Sequence, residues 1–152
     1  TVNGIGNAVL CLANHPDEYA KLCADHTLAR PAFEEALRYE STVQTFFRTT
    51  SKDTELFGIA IPKDSKVVTF LAAANRDERQ WPDPDRFDIG RRPAGHMAFG
   101  SGIHGCVGQV VARLAQKLEP ARLLPVVLGA GVLVAAARSV GAAGAGRRLR
   151  HH

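Results

Sequence analysis

The segment HMAFGSGIHGCVGQVVARLA, residues 96–115, holds the side chains best suited to chemistry. A thiol, Cys106, follows two imidazoles, His96 and His104, and lies among four glycines of residues 100–108, directly before a helical pattern. A thiolate acts as a nucleophile or as a metal ligand. Glycines cost conformational entropy that an ordinary turn would avoid, and they let a backbone approach a ligand closely. The segment therefore predicts a loop built around the sulfur.

Several kinds of site are compatible with parts of this segment. Residues 100–105 match GxGxxG, but a dinucleotide site needs a preceding hydrophobic strand and an acidic residue about 20 positions later, and neither is present. Cys106 could be a nucleophile with His104 or His96 as base, although no third orienting group is evident. A zinc site of His96, His104 and Cys106 lacks a fourth ligand. A buried, inert cysteine is the common fate of a lone thiol, but it leaves the glycines unexplained.

One further interpretation explains more positions. Residues 99–108 reproduce the pattern FGxGxHxCxG and resemble the cysteine-ligand loop of the cytochromes P450, the haem-thiolate monooxygenases. The resemblance implies that Cys106 ligates the iron of haem b (iron protoporphyrin IX) and that Phe99 shields the sulfur. It also implies that His104 donates to a haem propionate and that Gly100 and Gly108 belong to the backbone bed under the ring.

A second stretch resembles the same family. Glu35 and Arg38 form the motif ExxR, which by itself is a common helical pair worth about 0.3 kcal/mol. Pro84-Asp85-Arg86-Phe87 resembles the family's meander signature, whose arginine completes a buried Glu–Arg–Arg network. The resemblance implies that Glu35, Arg38 and Arg86 form a structural triad that fixes the cysteine loop.

Arg48, in the stretch FFRTT, stands where the family places an arginine that binds a haem propionate. The cofactor-binding set implied by the resemblance is thus Arg48 together with the loop residues named above, and no catalytic residue beyond the haem ligand is assigned. Arg91, Arg92 and Arg113 are candidates for docking an acidic ferredoxin.

Periodicity along the chain predicts the elements that would position these residues. Apolar spacing indicates two helices in residues 1–25, with Asn14 as the N-cap of the second, and a third helix burying Phe33, Ala36 and Leu37. Residues 43–77 are rich in Thr, Val, Phe and Ile and predict short strands of one small sheet. An ordered meander and then a helix from Val107 to Leu114 follow. The fold class is mainly α with a small β-sheet (α+β), and the resemblance implies the C-terminal part of the cytochrome P450 fold.

Charge divides the chain in two. Residues 1–114 carry 13 basic and 14 acidic side chains, whereas residues 115–152 carry 6 and 1. A nearly neutral body argues against nucleic-acid binding, and the apolar run of the tail is shorter than the roughly 20 residues of a membrane span. The three cysteines contain no CxxC pair, which argues against a disulfide scaffold and a thiol-rich zinc module.

We predict a haem-binding portion over residues 1–114 and an atypical Ala/Gly/Arg/Val/Leu-rich tail over 115–152. We hypothesise that the tail is frameshifted or disordered, because a GC-rich gene read out of frame gives this composition. If neither alternative reading frame of the encoding DNA restores family-like residues after Leu114, the frameshift hypothesis is wrong.

The resemblance also implies a function for the parent protein. It would be a monooxygenase of the soluble bacterial type, located in the cytoplasm, that inserts one atom of O2 into a small organic substrate, such as an aromatic acid. Electrons would come from NAD(P)H through a ferredoxin-type donor, and the Cys106 thiolate would push electron density toward O–O cleavage. The alternative is a truncated, catalytically inactive fragment that carries the signature without closing a haem pocket.

Overall fold

The computed structural model describes the backbone of residues 2–117 and the side chains of residues 2–114. Within this part the helices are α1 (Val2–Asn14), α2 (Pro16–Ala24), α3 (Ala29–Tyr39), α4 (Leu71–Ala74) and α5 (Gln109–Lys117). The strands are β1 (Thr45–Thr49), β2 (Thr54–Leu56), β3 (Ile59–Ile61) and β4 (Lys66–Phe70). The predicted α+β class is confirmed. Apart from the end of α5, the predicted tail over 115–152 lies outside the described residues.

The core lies between α1, α2 and α3. The apolar positions of these helices recur at helical spacing, so one face of each helix is buried against the others. The three apolar residues predicted for the buried face of α3 are all buried. The cluster consists of Ala8, Cys11, Leu12, Leu22, Ala32, Phe33, Ala36, Leu37, Phe87 and Ile89.

The start of α2 differs from the sequence prediction. Asn14 is the last residue of α1, and His15 occupies the N-cap position. Pro16 explains the difference, because proline is favoured at the first helical position, where its missing N–H costs nothing. The cap therefore falls on the residue immediately before Pro16, one place later than predicted.

The strands form two hairpin-like pairs instead of one sheet. β1 pairs with β4 and β2 pairs with β3, each antiparallel. Phe57 and Gly58 join β2 to β3 with φ values of +52° and +79°, as a tight two-residue hairpin turn requires. Both pairs are largely exposed, so they share no buried face that would join them into one sheet.

The meander, predicted over residues 80–97, is irregular over residues 75–96 and is held by buried carboxylates as well as by apolar contacts. Glu18 of α2 accepts the backbone N–H of Ile89 at 3.1 Å, and Glu35 of α3 accepts that of Asp88 at 3.1 Å. Trp81 is also buried, and its indole N–H donates to the carbonyl of Ala74. A stretch without regular secondary structure is thereby attached to two helices.

No helix among residues 2–117 combines the length and the apolar character that crossing a membrane requires.

Candidate functional site

The loop that carries Cys106 is closed by its own backbone. It begins with a 3₁₀ turn over Met97–Phe99 and ends at the start of α5. The N–H of Cys106 donates to the carbonyl of Phe99 at 2.8 Å, and the carbonyl of Cys106 accepts the N–H of Gln109 at 3.2 Å. The thiol thus lies between a closed turn and the first residue of a helix.

Two glycines are required by the backbone of this loop. Gly100 has φ +70° and ψ −166°, a conformation open essentially to glycine alone, and Gly102 has φ +64°. Gly108 lies close to the sulfur, since a Cβ built there would be 3.8 Å from Cys106 Sγ. The glycine spacing therefore determines the path of the chain around the thiol.

Cys106 is a free, exposed cysteine, which excludes the interpretation of a buried, inert thiol. Two apolar side chains of the same loop are exposed as well: Ile103 is 98% and Val107 is 97% exposed. His104 is exposed as well, whereas Phe99 is partly buried against the core. The loop therefore presents a thiol on an apolar, solvent-facing surface.

His96 is engaged elsewhere and is not a partner of Cys106. Its Nε2 lies 2.9 Å from Glu34 Oε2, and its Nδ1 accepts the N–H of Ala98 at 3.2 Å. With both nitrogens occupied, His96 is neither a base for the thiol nor a zinc ligand. In the described part of the chain, no three His, Cys, Asp or Glu side chains converge on a metal-sized site.

Arg48 lies in β1 with an exposed side chain. Its guanidinium lies 4.5 Å above the ring of Phe46 and donates to the carbonyl of Phe47 at 3.2 Å. These contacts keep it within its own strand. Its role toward a propionate stays a prediction.

Glu35 and Arg38 form a fully buried ion pair. Both side chains are 0% exposed, and two parallel hydrogen bonds of 2.8 and 2.9 Å join them. The remaining guanidinium hydrogens donate to the carbonyls of Asn75, Pro84 and Arg86. A buried pair of this kind is stabilising only when its hydrogen bonds are satisfied, and the meander supplies the acceptors. The pair therefore anchors the meander to α3.

Arg86 was predicted as the third member of the triad, and this prediction is wrong for its side chain, which does not reach Glu35. The side chain of Arg86 is 61% exposed and lies 4.0 Å from Asp88, and only its backbone carbonyl contacts Arg38. Arg91 takes the predicted place, with its Nε 3.2 Å from Glu35 Oε1 and its side chain 15% exposed. Its other nitrogens donate to the carbonyls of Pro82 and Asp83. The geometry favours Arg91 because the meander turns at residues 88–91 and directs that side chain inward.

A second charged cluster, which sequence reasoning missed, joins α3 to both sides of the Cys106 loop. Glu34 accepts from His96 and from Arg113, whose Nε lies 2.6 Å from Glu34 Oε1. Burial raises the pKa of Glu34, but hydrogen bonds from His96 and Arg113 outweigh it and lower that pKa to about 2. The only sequence signal was a second carboxylate directly before Glu35.

A cavity of about 570 Å³ lies beside this cluster. Among the described residues that line it, four are arginines and Glu34 is the only acidic one. Two of the four, Arg91 and Arg113, are paired with Glu35 and Glu34. Arg30 and Arg92 are exposed.

Comparison with known proteins yields consistent matches. A family model described as Cytochrome P450 matches residues 1–125. Cytochrome p450 CYP199A2 of Rhodopseudomonas palustris is 61% identical over 123 residues, which are 81% of this chain and 30% of that protein. The biotin biosynthesis cytochrome P450 of Bacillus subtilis is 44% identical over 124 residues, 82% of this chain and 31% of that protein.

A solved structure agrees with these matches. Cytochrome P450 CYP109Q5 from Chondromyces apiculatus superposes with a TM-score of 0.72 at 49% identity, over 77% of this chain and 30% of that one. The chain therefore spans about 30% of the length of the relatives that it matches.

Proposed function

The chain belongs to the cytochrome P450 family, and from that premise we propose that it forms the haem-ligating part of a haem-thiolate monooxygenase. The observation that carries the proposal is the exposed sulfur of Cys106 on a loop closed by the bond from its own N–H to Phe99. When bound, haem supplies the activation of O2, so that one oxygen atom enters an organic substrate and the other leaves as water.

The residues present fit an iron porphyrin. A thiolate is a suitable axial ligand for haem iron. The exposed apolar side chains of Ile103 and Val107 lie on the same loop as Cys106 and offer an apolar surface to a macrocycle. His104 and Arg48 are exposed and can donate to carboxylates. The chemistry and the exposure of these side chains therefore fit haem.

Each part of the chain has a distinct task in this proposal. Cys106 provides the sulfur, and the closed loop holds that sulfur in place. The buried pair of Glu35 and Arg38, completed by Arg91, keeps the meander packed against α3. These residues orient the ligand and exclude water from the region behind it, and none of them transfers a proton.

We also propose an acidic, ferredoxin-type electron donor for this protein. Its support is the arginine-lined cavity next to the Cys106 loop, in which Arg30 and Arg92 are exposed. Arg92 was a candidate from the sequence, and Arg30 was not. Charge reversal at both positions should weaken donor binding at low ionic strength and have less effect at high salt, because screening shortens the reach of surface charges.

Replacement of Cys106 by serine tests the ligand assignment. We expect the reduced chain, supplied with haem and carbon monoxide, to show a thiolate-type Soret band that Cys106→Ser abolishes. Cys23→Ser is the matched control, since Cys23 is also free and exposed. Retention of the band in Cys106→Ser overturns the assignment. A band that forms only when the chain is extended at its N-terminus supports the alternative of a non-catalytic fragment.

A further inference from the structure

Glu34 is a largely buried charged group that the proposed function leaves without a task. Its neighbour Glu35 belongs to the pair that holds the meander, whereas Glu34 lies on the side of α3 that meets the Cys106 loop and α5. Its side chain is only 14% exposed. A carboxylate in such a position is desolvated, and its hydrogen-bond donors must compensate for that cost.

The first of these donors, His96, lies at the N-terminal side of the loop. The imidazole of His96 is 2% exposed, and its Nε2 donates to Glu34 while its Nδ1 accepts the N–H of Ala98. This combination requires the neutral imidazole with its proton on Nε2. The bond to Ala98 caps the 3₁₀ turn over Met97–Phe99, and the carbonyl of Phe99 receives the N–H of Cys106. Three hydrogen bonds, linked through the His96 ring and the backbone of Ala98 and Phe99, thus connect Glu34 to the residue that bears the sulfur.

The second donor, Arg113, lies on the helix that follows the loop. Arg113 of α5 binds both oxygens of Glu34, with distances of 2.6 and 3.3 Å. Its other terminal nitrogen donates to Gln109 Oε1, on the first residue of α5, at 2.8 Å. The guanidinium also lies 4.8 Å from the centre of the Phe99 ring, so it contacts both ends of the loop.

We propose that Glu34, His96 and Arg113 form a clamp that holds the Cys106 loop closed and thereby positions the sulfur. Glu34 is the central member, because it contacts the donor on each side of the loop. The three are positioning residues that act through the loop backbone. The hydrogen bonds of the clamp are present in the chain without haem. The inference rests on the proposed function only where it treats Cys106 as the haem ligand that the clamp positions.

The first test measures the clamp without haem. Hydrogen exchange at the amide of Cys106 reports its bond to Phe99, and Glu34→Gln preserves the size of the side chain while removing its charge. We expect exchange at this amide to become about tenfold faster, as the loss of a buried charged hydrogen bond would give. Glu78→Gln, on an exposed carboxylate of the meander, is the matched control and should leave the rate unchanged. An unchanged rate in folded Glu34→Gln overturns the clamp.

Two substitutions of His96 separate the clamp from a simple cap. Asparagine reproduces the position of Nδ1 and can keep the bond to Ala98, but it does not reach Glu34. Glutamine reproduces the position of Nε2 and can keep the bond to Glu34. The clamp predicts that His96→Asn accelerates exchange at Cys106 and that adding Glu34→Gln to it has a smaller effect than Glu34→Gln has alone, because both variants break the link to His96 and only Glu34→Gln also weakens the link to Arg113. Wild-type exchange in His96→Asn would show that the cap alone holds the turn, and would refute the clamp.

The final readout connects the clamp to the sulfur. In the haem-loaded full chain, we expect Glu34→Gln and His96→Asn to shift the reduced carbonyl complex from the thiolate-type Soret band toward the band without thiolate ligation, and Glu78→Gln to match wild type. A full thiolate band in both variants refutes the positioning role. If neither the wild-type chain nor an N-terminally extended one forms a carbonyl complex, the proposed function fails, and the exchange measurements still decide whether the clamp exists.

Discussion

At the scale of single residues, the PDRF motif contacts the buried ion pair through a backbone atom, whereas its sequence suggests a side-chain contact. The arginine of PDRF supplies a carbonyl oxygen to Arg38, while its guanidinium points to solvent. The guanidinium of Arg91, five residues later, reaches the buried carboxylate of Glu35. Motif spacing predicts which segments meet, whereas the identity of the contacting atom depends on how the meander turns.

Variants of the two arginines distinguish these roles. We expect Arg91→Gln to lower the free energy of unfolding by about 2 kcal/mol, since the buried carboxylate of Glu35 loses a charged partner. Arg86→Gln should change it by less than about 0.5 kcal/mol, because that side chain is largely exposed. Urea denaturation of both variants measures the difference. Equal losses would restore the side chain of Arg86 to the network.

Glu34 should give the protein a distinct acid sensitivity. Its pKa is lowered from 4.5 to about 2 in the fold, so its stabilising contribution is complete above pH 4.5 and is lost as the pH falls toward 2. The linked free energy is on the order of 3 kcal/mol. We expect the stability of the wild type to fall more steeply across this interval than that of Glu34→Gln. Acid titrations of both proteins, followed by circular dichroism, measure the two slopes. Equal slopes for the wild type and Glu34→Gln would contradict this prediction.

At the scale of elements, the crossing of α1 and α3 depends on which glycine faces the partner helix. Gly4 is buried, and a Cβ there would lie 3.2 Å from Leu37 Cδ2. Gly6 is exposed, and a Cβ there would meet no atom within 4 Å. One glycine thus permits close packing, and the other only weakens the helix.

Alanine substitutions at these two positions should have opposite effects. Gly6→Ala should stabilise the chain by about 0.5–1 kcal/mol, because alanine loses less backbone entropy in a helix. Gly4→Ala gains the same propensity but crowds Leu37, so we expect a net loss of stability from overpacking. Thermal unfolding of the pair measures both signs. Stabilisation by Gly4→Ala equal to that by Gly6→Ala would show that the crossing relaxes freely.

The elements that the sequence predicted well are those determined by local spacing. The three N-terminal helices, the buried apolar face of α3 and the irregular meander follow from periodicity and from Pro and Gly content. One error is local, since the N-cap of α2 falls one place later than predicted, but the larger errors concern contacts between residues far apart in the chain. One sheet was predicted where two strand pairs form, and the link from Glu34 to His96 joins residues 62 positions apart. Such contacts depend on tertiary packing, and no local sequence pattern predicts them.

At the scale of the whole molecule, apolar side chains are concentrated on surfaces that the described residues leave uncovered. β1 and β4 expose Phe46, Phe47 and Phe70, and the loop and α5 expose Ile103, Val107, Val110 and Val111. Exposed apolar surface on this scale promotes association or binding. In the relatives, the part outside the match is more than twice as long as the matched part, since the match covers about 30% of their length.

Replacement of an exposed phenylalanine should reduce self-association without loss of stability. Phe47 is 64% exposed in β1. We expect Phe47→Ser to change the free energy of unfolding by less than about 0.5 kcal/mol and to lower both the binding of an apolar dye and the sedimentation-derived mass. Phe33→Ser, in the core, is the contrasting variant and should unfold the chain. Strong destabilisation by Phe47→Ser would show that β1 packs against an apolar surface after all.

The three cysteines differ in a way that has a practical use. Cys11 is 2% exposed, and burial above all raises its pKa to about 12, so it remains a shielded, protonated thiol. Cys23 and Cys106 are exposed. A chain carrying Cys23→Ser therefore offers a maleimide reagent a single attachment point. A spin label placed there would record the mobility of the glycine-rich loop directly, before any pigment is added.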